Sequence, residues 1–145
     1  MDAPLPDTLS AAALNQRERR VVESIVARLR AELSGNLLAV WLYGSRARGE
    51  ADPNETDPDR RSDVDLLAIV EGDDERYRKA VTELRFEAAE ALGDSPFFFS
   101  VMLMSAEWLR GRREIESFFI QEVDRDKLIL YGDALERYGG GAGRQ

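Results

Sequence analysis

Two aspartates, Asp63 and Asp65, flank the first residue of the apolar run VDLLAIV (residues 64–70). Side chains two apart on a strand share a face, so these carboxylates would start roughly 7 Å apart at the backbone. Carboxylates held that close repel each other and lose hydration unless a cation lies between them. A divalent ion such as Mg²⁺ is commonly held by two carboxylates together with substrate phosphates. For such a pair alone, the favoured interpretation is that Asp63 caps a turn and Asp65 is a solvated residue at the start of a strand.

The sequence before the pair favours the chemical interpretation. An apolar run, LLAVWLY (residues 37–43), ends at Gly44 and Ser45. Glycine permits a tight turn in which backbone N–H groups and the Ser45 hydroxyl face an anion. A helix beginning after Ser45 would add partial positive charge there, and Arg46 and Arg48 would complement phosphate. A phosphate-binding turn beside a carboxylate pair predicts a site for a metal–nucleoside triphosphate complex.

Composition restricts the possible partners. The chain has 145 residues, with 20 basic and 28 acidic side chains and a net charge of −8. One folded domain spanning 1–145 is expected from this length, and no direct nucleic-acid binding is expected from this charge. No apolar run approaches the roughly 20 residues that cross a bilayer. The first ten residues have no secretory pattern, so we expect a cytoplasmic protein without membrane contact.

Missing residue types restrict the chemistry further. The chain contains no cysteine and no histidine. Thiolate and imidazole metal sites, cysteine nucleophiles and Ser-His-Asp triads are therefore excluded. Any metal must be bound by oxygen, which favours Mg²⁺, Mn²⁺ or Ca²⁺.

The elements that would position these groups follow from periodicity and capping residues. Asn15 and Glu18 form a capping box before a helix that ends near Gly35. Apolar runs predict strands at 37–43, 64–70 and 97–104 and an edge strand or extended segment at 127–132, and a helical face spans 73–92. Ser105 would cap a last helical region, whose predicted apolar stripe comprises Ile115, Phe118, Phe119 and Val123. We therefore predict an α+β fold, a small mixed β-sheet flanked by helices, with residues 1–12 and 136–145 flexible.

The segments GSRARGE and SDVDLL together resemble the G-S…D-x-D motif of the DNA polymerase β-type nucleotidyltransferases, and within them the minimal nucleotidyltransferases (MNT proteins). The resemblance implies an α-β-α-β-α-β core that binds ATP with Mg²⁺ or Mn²⁺. It assigns the β- and γ-phosphates to Gly44 and Ser45. It assigns the metal ions and the catalytic role to Asp63 and Asp65. The implied reaction is attack by a hydroxyl on the α-phosphate, with pyrophosphate leaving.

Two departures from the family pattern bear on activity. Residues 46–62 separate Ser45 from Asp63, a longer interval than the family pattern has. This enlarged loop is either a solvated excursion or a lid that brings Arg60 and Arg61 to the triphosphate. The place of a third carboxylate is taken by Ser100, and a serine hydroxyl is no base near neutral pH.

The resemblance implies transfer of AMP to a hydroxyl acceptor. Small members of the family often accompany a HEPN-type ribonuclease toxin, so the predicted role is an antitoxin that adenylylates this protein partner. An alternative is a catalytically weak or inactive antitoxin of this type that binds and blocks its partner, as Ser100 suggests. An aminoglycoside-type small-molecule acceptor is less favoured, because those enzymes usually carry an additional helical domain.

Overall fold

The computed structural model describes residues 7–139. Its helices are α1 (Gln16–Glu32), α2 (Ser45–Arg48), α3 (Arg78–Ala91), α4 (Ala106–Glu114) and α5 (Phe118–Asp126). Its strands are β1 (Leu37–Tyr43), β2 (Val64–Val70), β3 (Phe99–Ser105) and β4 (Leu128–Gly132). Short 3-10 turns lie at Asp7–Ala11, Glu75–Tyr77 and Pro96–Phe98. Within this range, no helix has both the length and the apolar character needed to cross a bilayer.

The four strands form one sheet in the order β3-β2-β1-β4. Strand β1 runs antiparallel to both its neighbours, β2 and β4, and β2 runs parallel to β3. The predicted α+β fold with a mixed sheet is confirmed. Because β1 and β2 are the central strands, their side chains are covered on both faces, which explains their uninterrupted apolar sequences.

Each face of the sheet has its own hydrophobic core. One face carries Leu66 and Ala68 and packs against α1 and α3. The opposite face carries Trp41, Leu67 and Ile69 and packs with buried residues of α4 and α5. Alternation along β2 places Asp65 on this second face, with Leu67 and Ile69. The helices α4 and α5 therefore determine what covers Asp65.

Helix α1 begins with the predicted capping box. The side chain of Asn15 accepts a hydrogen bond from the Glu18 N–H at 2.8 Å, and the Asn15 N–H donates to Glu18 Oε1 at 3.0 Å. The predicted helix over 73–92 begins later, because a 3-10 turn precedes α3. The third strand also begins later, at Phe99. Phe97 lies in the preceding turn with 74% of its surface exposed, so the prediction that the strand begins at residue 97 is wrong.

The predicted apolar stripe after Ser105 is also wrong in part. Helix α4 ends at Glu114, and Glu116 has a left-handed backbone with φ of 53°. Ser117 then caps α5 as a separate helix. Because the helical phase is broken there, the stripe does not continue from Ile115 through Phe118, and both side chains are exposed.

The structure describes only part of each terminal segment. Residues 1–6 and 140–145, which belong to the segments expected to be flexible, lie outside the described residues. Leu9, in the first 3-10 turn, is buried in the first core, and this turn contacts β4. Tyr138 packs against the second core. These side chains join residues 7–11 and 136–139 to the folded domain.

Candidate functional site

A tight turn at Gly44 joins β1 to α2. Gly44 has φ of 81° and ψ of −162°, a conformation that is essentially restricted to glycine. Its carbonyl accepts hydrogen bonds from the N–H groups of Ala47 and Arg48 at 3.0 and 3.1 Å, which opens the single turn of α2 at Ser45. The turn and the helix after Ser45 are therefore present where the sequence predicts them.

The turn lies directly against Asp65. Antiparallel pairing places Asp65 opposite Tyr43, the last residue of β1. A Cβ atom added to Gly44 would lie 2.9 Å from Asp65 Oδ2, closer than side-chain carbons approach other atoms. The backbone conformation favours glycine at this position, and any larger side chain would also have to displace the carboxylate of Asp65. The two segments of the sequence motif, GSRARGE and SDVDLL, are therefore adjacent in the folded chain.

The aspartate pair carries unfavourable electrostatics. Asp63 is exposed just before β2, whereas Asp65 is half-buried in the strand. Burial, and then the negative charge of Asp63, raise the pKa of Asp65, while the positive charge of Arg46 opposes the shift. A cation shared by the two carboxylates would relieve this cost, so an oxygen-bound divalent ion fits the donor set. Within residues 7–139, no cluster of three or more acidic side chains is suited to hold a metal.

Ser100 occupies the neighbouring position on β3. The parallel register pairs Asp65 with Ser100, so the hydroxyl stands where sequence reasoning expected a third carboxylate. Asp94 does not replace it, because its carboxylate accepts two hydrogen bonds from Arg61, each 2.9 Å long. A third acidic group for the site must therefore come from outside β3.

A cavity of about 300 Å³ opens beside the Gly44 turn and Asp65. Its lining combines β1, α2, β2 and α5: Tyr43, Gly44, Ser45, Arg48, Asp65, Phe119, Glu122 and Val123. Sequence reasoning missed the contribution of α5, including the carboxylate of Glu122. The signal for α5 in the sequence is Ser117, a capping residue that starts a new helix whose buried positions are Ile120 and Val123.

Tyr43 is part of the cavity wall rather than only a packed strand residue. Its ring meets the ring of Phe119 edge-on, with the centroids 5.5 Å apart. Burial, and then the charge of Asp65, raise the pKa of Tyr43 to about 12. Its hydroxyl therefore remains protonated at neutral pH. Trp41, by contrast, is fully buried, and its indole N–H donates to the Asp133 carbonyl at 2.9 Å.

The two arginines of α2 have different positions. Arg46 is completely buried. Its five N–H donors bond to Glu18 twice, to the Ser62 hydroxyl and carbonyl, and to the Ala13 carbonyl. The expectation that Arg46 binds phosphate needs correction, because no donor is left for a ligand. Arg48 does line the cavity, where its Nε bonds to Glu50 at 2.9 Å.

The loop at 51–62 is fastened to the rest of the domain. Arg61 bonds to Asp94 and Glu18, and its guanidinium lies 4.2 Å from the centroid of the Phe98 ring. Arg60 pairs with Asp57 at the surface at 3.3 Å. Neither arginine lines the cavity. The arrangement supports a surface excursion anchored by Arg61, and it gives no support to a lid that uses these arginines.

The mixed sheet and its flanking helices form a nucleotidyltransferase fold. The chain is similar to spectinomycin adenyltransferase AAD(9) from Enterococcus faecialis, solved with ATP and spectinomycin, at 16% identity and a TM-score of 0.50. The match covers 85% of this chain and 60% of that one.

A toxin–antitoxin structure with AMP-PNP is similar at 21% identity over 75% of this chain and 72% of that one, with a TM-score of 0.43. No protein-family model and no curated protein sequence matches the chain. The spectinomycin adenyltransferase establishes the shared fold, and this chain spans 60% of its length.

Proposed function

We propose that this protein is a Mg²⁺-dependent nucleotidyltransferase that moves AMP from ATP to a hydroxyl acceptor. We further propose that the acceptor is a protein, a HEPN-type toxin, and that the transfer neutralises it. The observation that carries the proposal is the contact between the Gly44–Ser45 turn and Asp65 at one cavity within a nucleotidyltransferase fold. The acceptor class rests on the resemblance of GSRARGE and SDVDLL to the minimal nucleotidyltransferases.

Four residues of the cavity wall, together with Asp63 just before β2, would bind the triphosphate and its metal. The Gly44 turn allows the phosphates to approach the backbone closely, and the Ser45 hydroxyl can donate to them. The guanidinium of Arg48 offsets phosphate charge. Asp63 and Asp65 would hold Mg²⁺, whose charge, when it is bound, stabilises the phosphoryl oxygens.

The proposed transfer is a single displacement at phosphorus. The acceptor oxygen forms a bond to the α-phosphorus, and the bond from that phosphorus to the oxygen bridging to the β-phosphate breaks. Pyrophosphate leaves with the electron pair of the broken bond, and the acceptor loses its hydroxyl proton. Glu122 is the second carboxylate in the cavity wall besides Asp65. We propose that it accepts this proton, in place of the carboxylate that Ser100 does not supply.

A binding module without catalysis is the second candidate function. It is favoured by one observation, the pairing of Ser100 with Asp65 where a base would stand in an active site. In that case, the protein would bind nucleotide and block its partner without modifying it. The two candidates differ in one measurable product, the adenylylated acceptor.

The first test is calorimetric titration of ATP into the protein, with MgCl₂ and then with EDTA. The proposal predicts binding that requires Mg²⁺ and is lost in the Asp63→Ala and Asp65→Ala variants, both of which should remain folded. A matched control is Asp59→Ala, which changes an exposed aspartate of the 51–62 loop. Unchanged ATP binding in the Asp63 and Asp65 variants would refute the site assignment.

The second test measures transfer by mass spectrometry. The protein is incubated with Mg²⁺, ATP and either a HEPN-type protein or spectinomycin as acceptor. A gain equal to one AMP on the HEPN protein supports the proposed role, whereas a gain on spectinomycin indicates a small-molecule transferase. ATP binding with no gain on either acceptor would favour the binding module.

A further inference from the structure

The corner between α4 and α5 exposes an apolar surface that the two cores do not use. Ile115 is 68% exposed, Phe118 is 86% exposed and Phe119 is 37% exposed. We refer to these three residues as the α4–α5 corner. Large apolar side chains grouped at the surface of a folded domain mark interaction sites more often than isolated ones do.

The corner is held by regular hydrogen bonds, so its exposure is not that of a frayed helix end. The N–H groups of Glu116 and Ser117 donate to the carbonyls of Arg113 and Arg112, each at 3.1 Å. The Ser117 hydroxyl accepts a bond from the Ile120 N–H at 3.2 Å. The backbone therefore presents Phe118 at a defined position at the start of α5.

The corner is continuous with the candidate active site. Phe119 lines the cavity together with Ser45 and Asp65. Its ring also contacts the rings of Tyr43 and Trp108, with centroid distances of 5.5 and 6.3 Å. Since Phe118 is the next residue in the chain, a molecule bound at the corner would lie beside the cavity.

The charge around the corner is negative. Glu114, Glu116 and Glu122 are all exposed within one turn of it, and the exposed Arg112 offsets one of these charges, so the net charge stays negative. Within residues 7–139, Glu114 and Glu122 form no ion pair. Arg113 does not offset this charge, because it is buried against Asp124 at 2.8 Å. A complementary ligand would combine an apolar anchor with flanking positive charge.

We propose that the α4–α5 corner binds the acceptor protein through a segment that has an aromatic or aliphatic side chain flanked by lysine or arginine. The segment would thereby place its hydroxyl at the cavity. This inference rests on the proposed function, since it concerns the acceptor of the same site. A second copy of this chain fits the corner poorly, because a symmetric contact would bring the same glutamates together and each chain carries a charge of −8.

The test uses two short fluorescent peptides and fluorescence polarisation, with AMP-PNP and MgCl₂ present. One peptide has leucine and tyrosine flanked by lysine and arginine, and the other has glutamate in place of each basic residue. The wild-type protein should bind the basic peptide, and Phe118→Ser should weaken binding about tenfold or more. Phe97→Ser is the matched control, because Phe97 is 74% exposed outside the corner and should leave affinity unchanged.

Two charge-reversal variants test whether the negative charge at the corner contributes to peptide binding. Glu114→Arg should weaken binding of the basic peptide, whereas Glu90→Arg, on exposed α3 surface, should not. Equal affinity for both peptides, no affinity for either, or equal effects of the Phe118 and Phe97 variants would overturn the proposal. A wild-type dimer in analytical ultracentrifugation that dissociates in Phe118→Ser would also overturn it, by assigning the corner to self-association.

The failures of the two proposals are distinguishable. ATP titration without peptide reports on the nucleotide site alone. If the wild-type protein does not bind ATP in this titration, the proposed function is refuted. Normal ATP binding combined with a peptide result that does not depend on Phe118 would refute only the docking surface.

Discussion

Arg46 and Glu18 form a two-pronged ion pair, with distances of 2.6 and 3.0 Å, and both side chains are 1% exposed. Glu18 belongs to the capping box of α1, whereas Arg46 belongs to α2, directly after the Gly44 turn. The pair therefore fixes the turn relative to the first helix. Arg48, two residues further on, points to the cavity instead.

The first prediction separates these two arginines. Arg46→Ala leaves the carboxylate of Glu18 buried without its main partner, so we expect a loss of about 3–5 kcal/mol in the free energy of unfolding. Arg48→Ala should change that free energy little, because Arg48 is partly exposed, but should weaken ATP binding about tenfold. Urea denaturation and ATP titration measure the two effects. A stable Arg46→Ala variant with impaired ATP binding would contradict this assignment.

The second prediction concerns the Gly44 turn. Gly44→Ala imposes a backbone conformation that costs alanine about 1–3 kcal/mol and places a methyl group 2.9 Å from Asp65 Oδ2. We expect reduced stability and loss of ATP binding. Gly35→Ala is the matched control: Gly35 also has positive φ, at 84°, but its added Cβ would meet nothing within 4 Å. Gly35→Ala should lower the free energy of unfolding while leaving ATP affinity intact. An equal loss of ATP affinity in both variants would show that backbone strain, and not the contact with Asp65, reduces binding.

The third prediction is that Asp65→Asn stabilises the metal-free protein while abolishing ATP binding. Burial and the charge of Asp63 raise the pKa of Asp65, so its ionised form is disfavoured in the folded state. The wild-type protein should therefore lose stability relative to the variant as the pH rises from about 4 through the raised pKa. Thermal unfolding in EDTA at several pH values measures the difference. A variant less stable than the wild type at neutral pH would contradict the proposed charge repulsion.

The central strands and the start of α1 could be predicted because their signals are local. The runs 37–43 and 64–70 are apolar throughout and end at turn-forming or charged residues, and the structure has strands with these bounds. The capping box at Asn15 requires only Glu18, three residues away. The prediction that the Gly44 turn lies beside Asp65 assumes that the two strands are neighbours, which spacing alone does not define; the antiparallel pairing of β1 with β2 brings these residues together.

Other parts of the site depend on contacts that sequence spacing does not reveal. Arg46 resembles a phosphate ligand in the sequence, but its partner Glu18 lies 28 residues away and becomes adjacent only in the folded chain. Phe119 and Glu122 reach the cavity because the helical region breaks at Glu116. Helical periodicity assumes a continuous helix, and the break at Glu116 changes which residues after it face inward.

The fourth prediction tests the proton acceptor. Glu122→Gln keeps the shape of the side chain but removes its capacity to accept a proton near neutral pH, so AMP transfer should fall about 10²–10⁴-fold. ATP binding should remain, because Glu122 is not among the proposed metal ligands. The control is Glu90→Gln on α3, and transfer is followed by release of pyrophosphate. Full activity in Glu122→Gln would assign proton removal to the acceptor or to solvent.

The last prediction concerns acid stability and the anchoring of the 51–62 loop. Burial by itself would raise the pKa of Asp94, but hydrogen bonds from Arg61 and from the Ser95 N–H hold that pKa below its ordinary value. A lowered carboxylate pKa contributes stability that is fully present above the unfolded value, near pH 3.9, and is lost as the pH falls toward the folded value. Asp94→Asn should therefore be less stable at neutral pH and should show a weaker decline of stability below about pH 4.

Asp59→Asn, in the exposed part of the same loop, should follow the wild-type profile. Denaturant titrations across this pH range measure all three proteins, and an unchanged acid profile in Asp94→Asn would show that the Arg61 pair does not hold the loop.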